Sequence, residues 1–191
     1  ARAELSAPVG GQAPGYFKFS LGDLRITIAS DGNLVNPASA MAANAPEGEL
    51  AAFLQAHRLS ADSNYAHTNH VIIQSADQTL LVDAGSGTRF QASAGRLMQN
   101  LDAAGIAPED IDLVALTHCH PDHVWGLRDD FDELFLPDAQ FFLGQTEYDH
   151  WTAPDLIETI TPGFETFVVG AVNSLEAVEP ALSLVSDGHT L

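Results

Sequence analysis

The stretch that most constrains this chain is Thr117-His118-Cys119-His120-Pro121-Asp122-His123, which packs three imidazoles and a carboxylate into six positions. It comes directly after a strand-like run, residues 111–116, that carries no charge after Asp112. A buried strand ending in such a cluster delivers its polar groups to the carboxyl end of a sheet, and the fold is expected to be a layered α/β one with a mixed sheet. Imidazole nitrogen and carboxylate oxygen are the donors that borderline-soft divalent metals take. Alternation along an extended segment turns His118 and His120 to the same side, where they can share one ion. Pro121 forces a turn, after which Asp122 and His123 can face a second ion, as in two-metal sites. A polar loop whose histidines merely bond to the backbone suits a single histidine better than three around an aspartate.

Nearly half the 191 residues are apolar, enough to bury a sizeable core in one domain. The balance of 26 acidic against 7 basic residues, a formal charge of −19, excludes nucleic acid as a partner, because phosphate binding relies on Lys and Arg. No stretch is long and apolar enough to cross a membrane as a helix. Cys119 is the only cysteine, so the chain can hold no internal disulfide. Residues 1–15 begin Ala-Arg-Ala-Glu and continue Gly/Pro-rich, which reads as a flexible N-terminal segment ahead of a domain at 16–191. That start suits a mature exported protein, periplasmic or secreted, with the cytoplasm as the alternative.

Along the domain, residues 16–20 and 24–29 read as a hairpin, with Asp31-Gly32 closing its second strand and a small-residue loop over 33–44. Pro46 opens a helix carrying Leu50, Phe53 and Leu54 on one face. Strands come next at 69–74 and 79–82, then the tight Asp83-Ala84-Gly85-Ser86-Gly87 turn and a helix over 93–104 that stops at Gly105. Beyond the histidine cluster, strands are expected at 134–136, 140–143 and 182–185, and helices at 145–151 and 164–178.

THCHPDHVWG at residues 117–126 and LLVDAGSG at 80–87 resemble the HxHxDH signature and the preceding strand and turn of the metallo-β-lactamase superfamily. FKFSLGDLRITIASDG, SNYAHTNHVII and the region around Tyr148 and Trp151 are most similar to its methyl parathion hydrolase and acyl-homoserine lactonase branch. The resemblance implies an αββα sandwich and two divalent cations, zinc foremost, with His118 and His120 on one, Asp122 and His123 on the other, and Asp83 beneath them orienting a ligand histidine. It also implies a water ionised between the cations that attacks a small ester, lactone or phosphotriester such as an organophosphate. Asp122 would serve catalysis by orienting that nucleophile or passing a proton to the leaving group. The alternatives are a β-lactam or thioester hydrolase of the same fold, or a metal-binding fragment without catalysis. The shortage of Lys and Arg argues against a nuclease. The superfamily's later ligands, a further histidine, a bridging carboxylate and a final histidine, have no counterpart; His189 lies in Asp-Gly-His-Thr and reads as a turn residue. The sequence is therefore expected to hold mainly the N-terminal half of the sandwich and to be C-terminally incomplete.

Among the remaining candidates, Trp151, Tyr65 and Phe90 are proposed walls of a substrate pocket, with Tyr148 and His150 close by and Trp125 assigned to the core. Cys119 should point away from its flanking histidines as a small buried filler. His67 and His70 flank Asn69 at a strand start, where an isolated histidine is usually structural. The partner is a small-molecule substrate, and a homodimer is compatible with this reading.

Overall fold

The computed structural model describes residues 14–46 and 48–190. The expected flexible segment therefore falls, apart from Pro14 and Gly15, outside the described residues.

Seven strands form one sheet whose spatial order equals the chain order: β1 (Tyr16–Leu21), β2 (Leu24–Pro37), β3 (Ser63–Gln74), β4 (Thr79–Val82), β5 (Leu113–Leu116), β6 (Gln140–Gly144) and β7 (Leu182–Val185). The first four pair antiparallel and β4 through β7 parallel, which makes the sheet mixed. Helices α1 (Glu49–Ala56), α2 (Leu97–Ala103), α3 (Pro121–Val124), α4 (Gln145–Trp151), α5 (Leu156–Thr159) and α6 (Glu165–Val178) occupy the connections.

The register sorts the side chains onto two faces. Ile72, Leu81, Val114 and Phe141 stand in one row across β3 to β6, each no more than 1% exposed. Leu97 and Leu101 of α2, Trp151 of α4, and Val168 and Leu175 of α6 join them in one core cluster. The opposite row, Phe17, Ile28, Val71, Val82, Ala115 and Phe142, is also apolar but only half-buried in its middle, and Phe17 is 67% exposed at the edge. Strands that are apolar on both faces are the mark of a sheet built to be covered on both.

Several boundaries differ from the sequence reading. Asp31-Gly32 does not end β2: Asp31 is the extra residue of a bulge between Ser30 and Gly32, and the strand runs on to Pro37. Gly32 takes φ 114°, and the buried Asp31 carboxylate accepts the Ser86 and Leu97 backbone N–H groups, both at 2.9 Å. That anchor delays α2 to Leu97, because residues 93–96 are drawn into a loop against β2 in which Ser93 O accepts the Asn33 N–H at 3.0 Å. Residues 134–136 contribute only a single bridge, Leu134 to Arg128, so they add no strand to the sheet. The short helices α3 and α5 have no counterpart in the sequence reading, since four residues are too few to show a helical period.

Candidate metal centre

Three parallel strands end side by side, and the loops leaving their carboxyl ends build the site. Ligands of open α/β sheets gather in the crevice beyond such ends. After β4 the chain takes a left-handed turn at Asp83, φ 61°, whose N–H donates to Ala115 O at 3.0 Å. The loop is clamped to the next one, Ala84 N–H to His123 O at 2.8 Å and Gly126 N–H to Gly85 O at 2.9 Å. Only glycine fits at 126, because a Cβ there would fall 2.0 Å from Ala84 O.

Asp83 is the hub of the polar network. Its Oδ1 accepts the Thr117 N–H at 2.7 Å, and its Oδ2 accepts the Thr117 hydroxyl at 2.8 Å and His123 Nδ1 at 2.8 Å. The Thr117 oxygen lies 3.0 Å from His118 Nδ1. With its proton given to Asp83, that oxygen accepts from His118, so the network assigns Nδ1 protonated in both His118 and His123. Both Nε2 atoms are thereby turned outward. His118 Nε2 stands 3.2 Å from His120 Nδ1, and His123 Nε2 stands 3.3 Å from Asp122 Oδ2.

Burial, then the neighbouring His123 and His120, lowers the pKa of His118 and keeps it a neutral donor. Burial also disfavours the charged form of His123, but hydrogen bonds to Asp122 and Asp83 outweigh it and hold its pKa at about 9. Burial opposes ionisation of Asp83 and Asp122 too, and their bonds to His123, joined by Thr117 at Asp83, leave both below the ordinary carboxylate range.

The two donor pairs can be tested against a metal on distance alone. Two ligands on a tetrahedral ion with bonds of about 2.0 Å sit about 3.3 Å apart. Both pairs have that spacing, and both consist of the nitrogen and oxygen donors zinc takes. Among the described residues, no group of three or more His, Cys, Asp or Glu converges on one point. The residues present thus fit two ligands of each ion's shell.

Cys119 is fully buried between the exposed His120 and the half-exposed His118, as its alternation requires. Burial, with Glu147 and Asp83 adding to it, pushes its thiol up to about 12, so it is no thiolate. Its backbone N–H donates to Glu147 Oε1 at 2.9 Å, and the same oxygen accepts Trp151 Nε1 at 2.6 Å. Glu147 and Thr117 receive no role from the sequence. The first lies 28 residues from Cys119 and the second 34 from Asp83, separations at which local pattern carries no signal.

The pocket candidates divide. Trp151 is buried with its ring 5.6 Å from His120, and Phe90 reaches the histidines through Phe167, 5.7 Å from Phe90 and 6.2 Å from His120. Trp125 packs at 5.5 Å on Phe90. Tyr65 instead lines a separate cavity of about 780 Å³ against α1, whose wall includes none of His118, His120, Asp122 or His123. His70 is buried with its ring edge-on to His123 at 6.3 Å, whereas His67 is exposed. His150 is exposed beside Trp151, and Tyr148 is half-buried against the core. His189 sits in a turn, its N–H bonded to Ser186 O at 3.1 Å and its ring beside Phe142.

Residues 66–129 match the family model of the metallo-beta-lactamase superfamily, and the chain has the fold of that superfamily. Among solved structures it is similar to AidC, a dizinc quorum-quenching lactonase in complex with a product, at TM-score 0.84 and 25% identity over 93% of this chain and 63% of that one. It is also similar to the hydrolase AbOPH of the beta lactamase superfamily, at TM-score 0.79 and 22% identity over 95% of this chain and 64% of that one. A probable metal-dependent hydrolase from Staphylococcus aureus aligns at TM-score 0.67 and 22% identity over 88% of this chain and 61% of that one. AidC is consistent with the methyl parathion hydrolase and acyl-homoserine lactonase branch to which the motifs are similar, and the two structures at 22% identity share the fold. The chain spans a little under two thirds of each of these structures. A comparison with curated protein sequences finds no match.

Proposed function

We propose that the protein is a metal-dependent hydrolase of small esters, lactones or phosphotriesters, holding two divalent cations of which zinc suits the donors best. The observation that carries this reading is the matched pair of donor spacings, 3.2 Å for His118 with His120 and 3.3 Å for Asp122 with His123, above one shared anchor. Bound there, the cations would supply a hydroxide-like nucleophile from water near neutral pH and polarise the oxygen under attack.

The chain's own residues prepare that chemistry. Asp83 holds the proton on His123 Nδ1, and Thr117 relays the same restraint to His118 Nδ1, so each ring offers Nε2 outward. Without a cation the second ring nitrogen of His123 keeps its own proton, shared toward Asp122, and loading the site must expel it. Asp122 lies at the mouth, half-buried, where its carboxylate can orient a nucleophile or hand a proton to the leaving group. Half-buried Phe167 flanks His120 with apolar surface that suits a neutral substrate, and the buried Trp151 packs edge-on to the same ring.

The test is metal content together with turnover of a lactone, an aryl ester and a phosphotriester. Two equivalents of zinc and hydrolysis that disappears on chelation and returns with zinc are expected, with His120→Ala reducing turnover by roughly 100-fold or more. Turnover that survives exhaustive chelation contradicts the proposal. A second reading, metal binding without catalysis by this chain, is favoured by one observation: the donors among the described residues converge in pairs only. Stoichiometric metal with no turnover of any of the three substrates selects it.

A further inference from the structure

The sheet ends on β1, and among the described residues no strand pairs with the outer side of that strand. The hairpin fixes which of its backbone groups point there. Leu21 and Leu24 close a two-residue turn in which Gly22 takes φ 61°, and the closing residues of such a turn bond to each other. At the far end Gly15 O accepts the Ser30 N–H at 2.7 Å. Bonds to β2 therefore fall to Gly15, Phe17, Phe19 and Leu21, and the N–H and C=O groups of Tyr16, Lys18 and Ser20 face outward.

An open edge is commonly guarded by a proline, a bulge or a charge. None of these guards β1. Its pairing with β2 is unbroken from Tyr16 to Leu21, and it contains no proline. Its one charged side chain, Lys18, is drawn aside, since Nζ donates to Ala104 O at the end of α2 and lies 5.6 Å from the Tyr16 ring centroid. The other edge is blunter, because β7 is four residues long and runs into the turn at Ser186.

We infer that β1 is a self-pairing edge, through which two copies of this chain join antiparallel about a two-fold axis into one continuous sheet. Outward groups must meet outward groups, so the axis has to pass through a residue. An axis at Lys18 would set that lysine opposite its own copy, and an axis at Ser20 shortens the overlap. At Phe19 it sets Phe19 against its copy, Phe17 against Leu21 and Lys18 against Ser20, so apolar meets apolar and no like charges are opposed. The two pairings of Lys18 with Ser20 then exchange about four backbone bonds, while the exposed Phe17, Phe19 and Leu21 lose apolar surface to water's benefit. A contact one strand wide belongs with the small, reversible interfaces. It is independent of the hydrolase reading, and chelator-treated protein tests it alone.

The experiment is sedimentation equilibrium of the full chain in chelator, from about 1 µM to about 1 mM, with about 0.5 M sodium chloride to screen the −19 charge. A reversible step from monomer to dimer is expected. Hydrogen exchange reads the contact directly: the Lys18 and Ser20 amides should slow by at least about tenfold from the dilute to the concentrated sample, while those of Phe17 and Phe19, bonded within the hairpin, keep their rates. Ser20→Pro removes an outward N–H that the hairpin does not use and should weaken the dimer by roughly tenfold or more. Phe19→Cys reports the register, since Cα atoms across the axis would stand about 4.5 Å apart and oxidation should link the copies, whereas Leu21→Cys should not link. Cys119 is buried and does not compete. A monomer throughout, a dimer whose Lys18 and Ser20 amides exchange as fast as in the monomer, one that Ser20→Pro leaves equally tight, or equal linking of the two cysteine variants would each overturn the inference.

Discussion

His123 is held between two carboxylates, bonded to Asp83 through one ring nitrogen and near Asp122 through the other. A folded-state pKa raised to about 9 from 6.5 stabilises the metal-free protein fully below pH 6.5, and that contribution disappears as pH rises through 9. Asp83 and Asp122, held below 3.8, work in the opposite direction: their contribution is present above that value and lost in acid. Melting temperature measured in chelator should therefore fall between pH 6.5 and 9, and Asp83→Asn should flatten that fall. An equally steep decline in the variant would show that another group sets it. Glu147 offers an independent check, since Glu147→Ala strands the Cys119 and Trp151 donors and should cost about 2–4 kcal/mol in denaturant melts.

At the scale of elements, the two site loops act as one because Gly126 lets the second lie against the carbonyl of Ala84. Gly126→Ala must push them apart, so it should destabilise by about 3 kcal/mol or more and release the Asp83 to Thr117 bonds, read as faster amide exchange at Thr117. Unchanged exchange at Thr117 would refute the clamp. The strands that carry this site are legible in the sequence because Leu81, Val114 and Phe141 sit in short apolar runs bounded by turn residues. The grouping of His118, His120, Asp122 and His123 is legible as well, since alternation and a proline suffice to bring adjacent side chains together. The hidden features depend on distant partners. Asp31 reads locally as a turn former, yet its carboxylate reaches Ser86 and Leu97, 55 and 66 residues away, and so continues β2 where the dipeptide predicts a stop. Tyr65 is read as a pocket wall because it is one of the aromatic residues in the region resembling the branch, but it pairs with Val35 beyond the Asp31 bulge, where it meets α1 instead.

Across the whole molecule, helices cover one face of the sheet and the other keeps an apolar row that is half-open to solvent. Phe17 in that row and Phe19 on the same face of the edge strand are 67% and 43% exposed. The 191-residue chain should therefore bind a hydrophobic dye such as anilinonaphthalene sulfonate while fully folded, and Phe17→Thr with Phe19→Thr should reduce the signal by roughly half. Dye fluorescence indifferent to both changes would mean that this face is already covered.

The agreement between spatial and sequential strand order bears on how the molecule comes into being. Each β-segment leaving the ribosome finds its neighbour already made, so assembly can zip forward without waiting for later pieces. Asp83 would then be installed on a finished edge before the imidazoles it restrains have been synthesised, and the cage would close upon a seat that is already set.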